Sequence, residues 1–192
     1  MEQRSPEWFA ARCGIPTASS FNKIITSTGR PSKTAITYMY ELLADWLGAE
    51  KEQFQTEWMT RGTAMEPEAI AFYEFETGLD VQPIGFITAL DGLVGCSPDG
   101  MTEHKGLELK CPKASTHVKY LLSGKCPAEY VPQVQGSMWV AEKDEWDFMS
   151  YHPDLDPLLI TVKRDDEFID ALEVQVKKFI ANMLEKRLEF KP

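Results

Sequence analysis

The sequence predicts an α/β fold in which helices flank a central mixed β-sheet. Short strand-like segments are concentrated in the middle of the chain, and helical segments with apolar stripes precede, interrupt and follow them. The chain has 192 residues, 43% of them hydrophobic, and it shows neither a linker nor an internal repeat. These features suit one globular domain, residues 1–192, that buries a sizeable core.

Three helices are predicted before the strands. A short helix begins at residues 17–20, where hydroxyl side chains favour a helix start. The third helix, residues 61–77, carries Pro67 in its first turn, where a missing N–H donor costs nothing. Between them, Ser32 caps a helix whose buried face is formed by side chains three and four residues apart: Ile36, Tyr40, Leu43 and Leu47.

The rest of the chain is predicted to contain five short strands, at residues 81–88, 93–96, 106–110, 146–151 and 158–162. The first three form a meander, because tight turns separate them. Two helices, at residues 114–122 and 130–140, follow the meander. The last helix begins at Asp165, and its apolar stripe is expected to cover the sheet: Phe168, Ile169, Leu172, Val176, Phe179, Ile180 and Met183.

The predicted strand at residues 106–110 places two charges on one face. Leu107 and Leu109 point to one side, so Glu108 and Lys110 share the other. Desolvation offsets much of the attraction in a buried ion pair, so an acid and an amine on an otherwise apolar strand indicate chemistry. The plain alternative is the solvated face of an edge strand, where such alternation is common.

A second carboxylate, Asp99, lies on a Pro-Asp-Gly turn shortly before that strand. A hairpin would bring Asp99 and Glu108 together, and carboxylate oxygens with open water positions suit Mg²⁺. Lys110 could then hold or help deprotonate a bound water, and Glu66 could supply a third carboxylate. Pro-Asp-Gly is also an ordinary turn sequence, and an acidic residue at a helix start is favoured without any catalytic duty.

Two other segments carry candidate polar groups. The helix start near Ser19 would present backbone N–H groups to an anion, and Arg12 is close enough in the sequence to add a bidentate phosphate contact. Helix capping explains Ser19 equally well. Gln133 and Gln135 point about 200° apart on a helix, so at most one of them faces the cleft.

The charge distribution bears on possible partners. A net charge of −10 argues at first against nucleic acid, but residues 1–40 sum to +3 and residues 104–126 to +4, which leaves −17 elsewhere. This asymmetry suits a basic cleft in an acidic body, although lysines on a solvated helix face would give the same count. No apolar run approaches the length of a membrane-spanning helix, so we expect a soluble, cytoplasmic protein without a membrane partner.

Asp99 and Glu108-Leu109-Lys110 resemble the PD-(D/E)xK nuclease superfamily. More specifically, the chain resembles the lambda-type exonucleases, also called YqaJ-like viral recombinases or phage-type alkaline exonucleases. The resemblance spans nearly the whole chain and follows the same order through five segments: residues 8–19, 61–66, 96–100, 106–112 and 133–139.

The resemblance implies a restriction-endonuclease-like core and a set of site residues. One or two Mg²⁺ ions, with Mn²⁺ as a substitute, would be held by Asp99, Glu108, the Leu109 carbonyl and Glu66. Lys110 would position and activate the attacking water, and Gln133 would orient neighbouring groups. A terminal 5′ phosphate or the neighbouring DNA backbone would be bound by three further residues: Arg12, Ser19 and Ser97.

The resemblance also implies a function. Members of the family digest one strand of double-stranded DNA from its 5′ end, release mononucleotides and leave a 3′ single strand for recombination by a single-strand annealing protein. They encircle DNA as a homotrimeric ring in a bacterial or phage-infected bacterial cell. In this chain residues 57–59 occupy the region with which members of the family separate the two DNA strands.

Two alternatives stay open at the level of sequence. A DNA-binding scaffold that no longer cuts would be expected to lose Asp99, Glu108 or Lys110, and this chain retains all three. Another nuclease of the superfamily is the closer rival. An iron–sulfur version would need four cysteines around one cluster, which the cysteine spacing does not offer, and an endonuclease would cut covalently closed circular DNA.

Overall fold

The computed structural model describes residues 1–49 and 57–190, without the side chains of residues 57–59, so the strand-separating role implied for that region stays a prediction. Within these ranges the helices are α1 (Pro6–Arg12), α2 (Ala35–Trp46), α3 (Glu57–Thr77), α4 (Ala114–Ser123), α5 (Val131–Ala141) and α6 (Asp166–Leu188). The strands are β1 (Ile87–Ala89), β2 (Val94–Cys96), β3 (Gly100–Met101), β4 (Gly106–Lys110), β5 (Glu145–His152) and β6 (Leu155–Lys163).

The central sheet has four strands in the order β3, β4, β5 and β6. β4 runs parallel to β5, and the other neighbours are antiparallel. α3 packs on one face of this sheet, and α4 and α5 pack on the other. The predicted α/β fold with a mixed sheet flanked by helices is therefore confirmed.

The predicted three-strand meander is wrong. β2 pairs with β1 in a separate two-stranded sheet, whereas β4 pairs with β3, a two-residue strand that the sequence analysis missed. β1 is also shorter than the predicted strand at residues 81–88. Pro83 has no N–H to donate to a ladder, and Gln82 before it forms an isolated antiparallel bridge with Met101 of β3 instead of extending β1.

The alternation predicted for β4 is confirmed. Leu107 and Leu109 are buried in a cluster with Ala69 and Tyr73 of α3. Glu108 and Lys110 lie on the opposite face, below α5. The strand thus anchors itself in the core with one set of side chains and holds the charged set at a defined position.

The apolar stripe predicted for α6 is buried along its whole length, but α6 does not cover the central sheet directly. It packs mainly against α2 and α5. The buried face predicted for α2 is confirmed only at Leu43, because Ile36, Tyr40 and Leu47 are about half exposed. The face that packs inward consists of Tyr38, Met39, Leu42 and Leu43, and the Tyr38 ring stacks on Phe179 of α6 at 5.6 Å.

Pro67 does not lie in the first turn of its helix. α3 extends back to Glu57, so Pro67 is in the helix interior, ten residues after that position. The predicted start at Arg61 placed Pro67 in the first turn, whereas α3 begins four residues earlier and continues through Gly62. Glu66 consequently lies within the helix rather than at its N-terminal end, and the helix dipole does not explain its presence.

The predicted helix start at residues 17–20 is confirmed as a 3₁₀ helix, Ala18–Lys23. Its Phe21 is fully buried, and a Cβ built on Gly136 of α5 would overlap the Phe21 ring. The glycine therefore permits the close approach of the two helices. In the part of the chain that the structure describes, no helix is both long and apolar enough to span a membrane.

Candidate active site

Glu108 and Lys110 of β4 form an ion pair in which the carboxylate is buried and the lysine is partly exposed. Lys110 Nζ donates to Glu108 Oε1, and the Glu108 side chain is only 2% exposed. Lys110 Nζ also lies 5.1 Å from the centre of the Tyr130 ring. Burial alone would lower the pKa of Lys110, but the negative charges of Glu108 and Asp99 outweigh it and raise the pKa. The lysine is therefore held as a cation.

Asp99 is placed beside this pair by the β3–β4 hairpin, as predicted. Its backbone N–H donates to the Leu107 carbonyl at 3.1 Å, and its Oδ2 accepts from the Leu109 N–H at 2.6 Å. Burial and the nearby Glu108 charge raise the pKa of Asp99. Two carboxylates that repel each other in a partly buried cleft form an oxygen donor set that a hard divalent cation would neutralise.

Gln133 is the glutamine that faces the cleft. Its Nε2 donates to Glu108 Oε1 at 2.6 Å, so Gln133 and Lys110 bind the same carboxylate oxygen. Gln135 points to the far side of α5, where it donates to the Lys163 carbonyl and accepts from the Asp165 N–H. The prediction that only one of the two glutamines faces the cleft is confirmed.

Glu66 shares a cavity with Asp99 but is bound elsewhere. Arg4 Nη2 donates to both carboxylate oxygens of Glu66, at 2.8 and 2.9 Å. Both residues and Asp99 line a cavity of about 470 Å³. Among residues 1–49 and 57–190, no three His, Cys, Asp or Glu side chains are grouped closely enough to hold a metal ion. A ligand role for Glu66 stays a prediction, in which a metal ion would share this carboxylate with Arg4 or replace Arg4 as its partner.

Arg12 forms a second polar site beside the first. Its Nη1 donates to Ser97 Oγ at 2.8 Å, and its Nη2 donates to Thr17 Oγ1 at 3.4 Å. Its guanidinium lies 4.1 Å from the centre of the Trp8 ring. Burial lowers the pKa of Arg12, and no ion pair joins it to a carboxylate within the described ranges. A half-buried guanidinium held by neutral groups is suited to receive an anion.

Ser19 and Ser97 both belong to this second site. Ser19 Oγ lies 3.2 Å from Thr17 Oγ1, one of the acceptors of Arg12. Ser97 Oγ accepts from Arg12 and from Trp8 Nε1. Arg12, Thr17 and their neighbours line a further cavity of about 180 Å³. The structure thus brings together all three residues for which phosphate binding is predicted.

Several contacts in these sites were missed at the level of sequence. Trp8 precedes Arg12 by four residues on α1, a spacing that places both side chains on one helix face and could have identified the ring contact. Tyr130, which lies over Lys110, gives no local signal because the lysine lies on a different element, well before it in the sequence. Arg4 gives none either, because its partner Glu66 is far away in the sequence.

Comparisons with known proteins place the chain among exonuclease-like proteins. The model of the YqaJ-like viral recombinase domain matches residues 7–144. An alkaline exonuclease from Laribacter hongkongensis is 34% identical, with 97% of this chain and 95% of that chain covered and a TM-score of 0.87.

The same exonuclease in complex with dAMP gives 33% identity, the same coverage of both chains and a TM-score of 0.86. An uncharacterized protein of Acanthamoeba polyphaga mimivirus is 26% identical over 163 residues, or 77% of this chain. The matched region spans only 29% of that viral protein.

Proposed function

Because this chain belongs to the YqaJ-like viral recombinase domain family, we propose that it is a Mg²⁺-dependent exonuclease acting on double-stranded DNA. It would degrade one strand in the 5′-to-3′ direction, release mononucleotides and leave a 3′ single strand for annealing-type recombination. The observation that carries this proposal is the convergence of Asp99, Glu108 and Lys110 at one end of β4, next to the half-buried Arg12.

Two carboxylates and a backbone carbonyl are the kind of hard oxygen donors that a divalent cation prefers. Asp99, Glu108 and the Leu109 carbonyl would hold Mg²⁺ or Mn²⁺, with Glu66 as a further ligand. Bound there, the metal would lower the pKa of a water molecule and neutralise charge on the phosphate. Lys110 would hold the attacking water with its ammonium group, and Gln133 would keep the Glu108 carboxylate oriented through its amide donor.

The second site would recognise the 5′ end. Arg12 can offer a bidentate contact to a terminal phosphate while it remains stacked on Trp8. Because Ser97 Oγ accepts from both Arg12 and Trp8, its own O–H is left to donate to the phosphate. Ser19 would bind the phosphate or the neighbouring backbone from the 3₁₀ helix.

The proposed partners follow from the family. The chain would assemble as a homotrimeric ring around double-stranded DNA and would pass its single-stranded product to a single-strand annealing protein. It would act in the cytoplasm of a bacterial or phage-infected bacterial cell.

The test uses linear double-stranded DNA, with or without a 5′ phosphate, carrying distinct labels at its 5′ and 3′ ends. With Mg²⁺ the purified protein should release the 5′ label as a mononucleotide, faster from the phosphorylated end, and EDTA should stop the release. The matched control is Asp99→Asn, which should be folded and inactive.

Three results would contradict the proposal. Cleavage of covalently closed circular DNA would indicate an endonuclease. Release of the 3′ label first would overturn the polarity. A folded protein that binds DNA ends but degrades nothing with Mg²⁺ or Mn²⁺ would instead support the DNA-binding scaffold.

A further inference from the structure

The segment that precedes α1 reaches the backbone next to Asp99. Gln3 Nε2 donates to the Ile84 carbonyl at 2.7 Å and to the Pro98 carbonyl at 2.6 Å. Both N–H bonds of one half-buried amide are therefore used by carbonyls from two separate segments. One segment leads into β1, and the other is the turn that carries Asp99.

The Pro98 carbonyl belongs to the peptide group that enters Asp99. Peptide groups are planar, so the Pro98 C=O and the Asp99 N–H have a fixed relative orientation. Gln3 binds the oxygen of this group, and the Leu107 carbonyl of β4 accepts from its N–H at 3.1 Å. The peptide is held from both ends, and the direction in which the Asp99 side chain leaves the turn is held with it.

The side chain of Trp8, in α1, forms a second cross-link of the same kind. Trp8 Nε1 donates to the Gly85 carbonyl and to Ser97 Oγ, at 3.0 Å in each case. Gln3 and Trp8 thus each connect the segment at residues 84–85 with the turn at residues 97–98. The atoms nearest to a Cβ built on Gly85 would all belong to Met1, so the first residue of the chain packs directly on that segment as well.

We propose that Gln3 is a positioning residue for Asp99: its amide fixes the peptide group before Asp99 and thereby the carboxylate that would hold the metal ion. This role rests on the proposed function. Groups that orient metal ligands typically change metal affinity 10- to 100-fold when they are removed. Gln3 lies outside the family's Asp-Glu-x-Lys set and acts only through the backbone.

The experiment compares Gln3→Met and Gln3→Glu with the wild type. Calorimetric titration with Mn²⁺ in the absence of DNA should show roughly tenfold weaker binding for Gln3→Met, because that side chain keeps the length but has no donor. Gln3→Glu should bind still more weakly, because its carboxylate would face two carbonyl oxygens. Gln82→Ala, which removes an exposed amide two residues before Ile84, should match the wild type.

A second readout needs no metal. Hydrogen exchange of the Leu109 amide, which donates to Asp99 Oδ2, should accelerate in Gln3→Met while the Phe148 amide of β5 stays protected. If the isosteric Gln3→Glu binds Mn²⁺ as well as the wild type, Gln3 only fills space and the proposal fails. If the folded wild type binds no Mn²⁺, the proposed function fails together with the role of Gln3.

Discussion

At the scale of single residues, Glu108 is the side chain that depends most on its partners. It is a carboxylate with 2% exposure, neutralised by Lys110 and hydrogen-bonded by the neutral amide of Gln133. A buried charge that loses its partner is strongly destabilising, whereas replacement of both partners by neutral groups is often tolerated. The proposed catalytic pair is therefore also a structural pair.

Lys110→Met is expected to destabilise the protein in EDTA. The variant leaves a buried carboxylate without its cation, which should cost about 3–5 kcal/mol and lower the Tm by about 10 °C in a chain of this size. The double variant Glu108→Gln/Lys110→Met should recover most of that loss but should not cleave DNA. Thermal unfolding checks the first statement and the labelled-DNA assay the second. Equal Tm values for the single variant and the wild type would contradict the burial argument.

Arg12 provides a separate prediction. Arg12→Ala should reduce the preference for a 5′-phosphorylated end over a 5′-hydroxyl end by about tenfold or more, because a charge-assisted bidentate contact is lost. Arg12→Lys should recover only part of the preference, since an ammonium lacks the planar fork. The measurement is the ratio of the two cleavage rates.

The control for this prediction is Arg30→Ala, which removes the same charge from an exposed position. It should leave the ratio unchanged. A similar fall in both variants would show that general electrostatic attraction, rather than the site around Arg12, produces the preference.

At the scale of elements, the packing of the 3₁₀ helix on α5 connects stability with the phosphate site. Gly136→Ala should be destabilising by about 1–3 kcal/mol, because its Cβ would meet the buried Phe21 ring. Any shift of the 3₁₀ helix also moves Ser19, so binding of a 5′-phosphorylated end should weaken. Thermal unfolding and a binding titration test the two effects.

The matched control is Gly62→Ala. Gly62 is a helical glycine of α3 whose Cβ would lie 3.8 Å from the Cys111 carbonyl, an ordinary contact. Since alanine favours helix more than glycine does, this variant should be neutral or stabilised by up to about 1 kcal/mol. Equal losses in both variants would mean that glycine itself, and not the proximity of Phe21, is required.

The same elements show what the sequence could reveal. The alternation in β4, the stripe of α6 and the opposed glutamines of α5 were predictable, because each depends only on the period of a strand or helix. The inward face of α2 was not, since apolar residues occupy several sides of that helix and contact with Phe179 selects Tyr38. The separate β1–β2 sheet and the contacts of Gln3 and Arg4 depend on distant partners, which no local pattern encodes.

At the scale of the whole molecule, charge and exposed apolar surface bear on assembly. Lys105, counted in the basic segment at residues 104–126, lies 3.5 Å from both Glu145 and Asp147, so that segment overstates the positive charge near the cleft. Phe75 of α3 and Leu122 of α4 are 86% and 85% exposed. Side chains of this kind commonly belong to surfaces that contact other molecules.

The proposed ring predicts the oligomeric state. Light scattering coupled to gel filtration should give three times the 21.8 kDa chain mass. Charged substitutions at a subunit contact should yield monomers that still hydrolyse DNA but release it after few turnovers. A clean monomer at every concentration, with unchanged processivity, would exclude the ring.

The short turn that carries both Ser97 and Asp99 bears on where a DNA strand would be cut relative to its end. Ser97 belongs to the site around Arg12, and Asp99 belongs to the cleft of Glu108, yet only Pro98 separates them. Two residues can span at most about 7 Å, so the group that would sense the end of a strand and the group that would help to cut it are covalently tied at a fixed spacing. The spacing between Ser97 and Asp99 would therefore set the distance from the bound 5′ end to the cleaved bond, and with it the size of each released product.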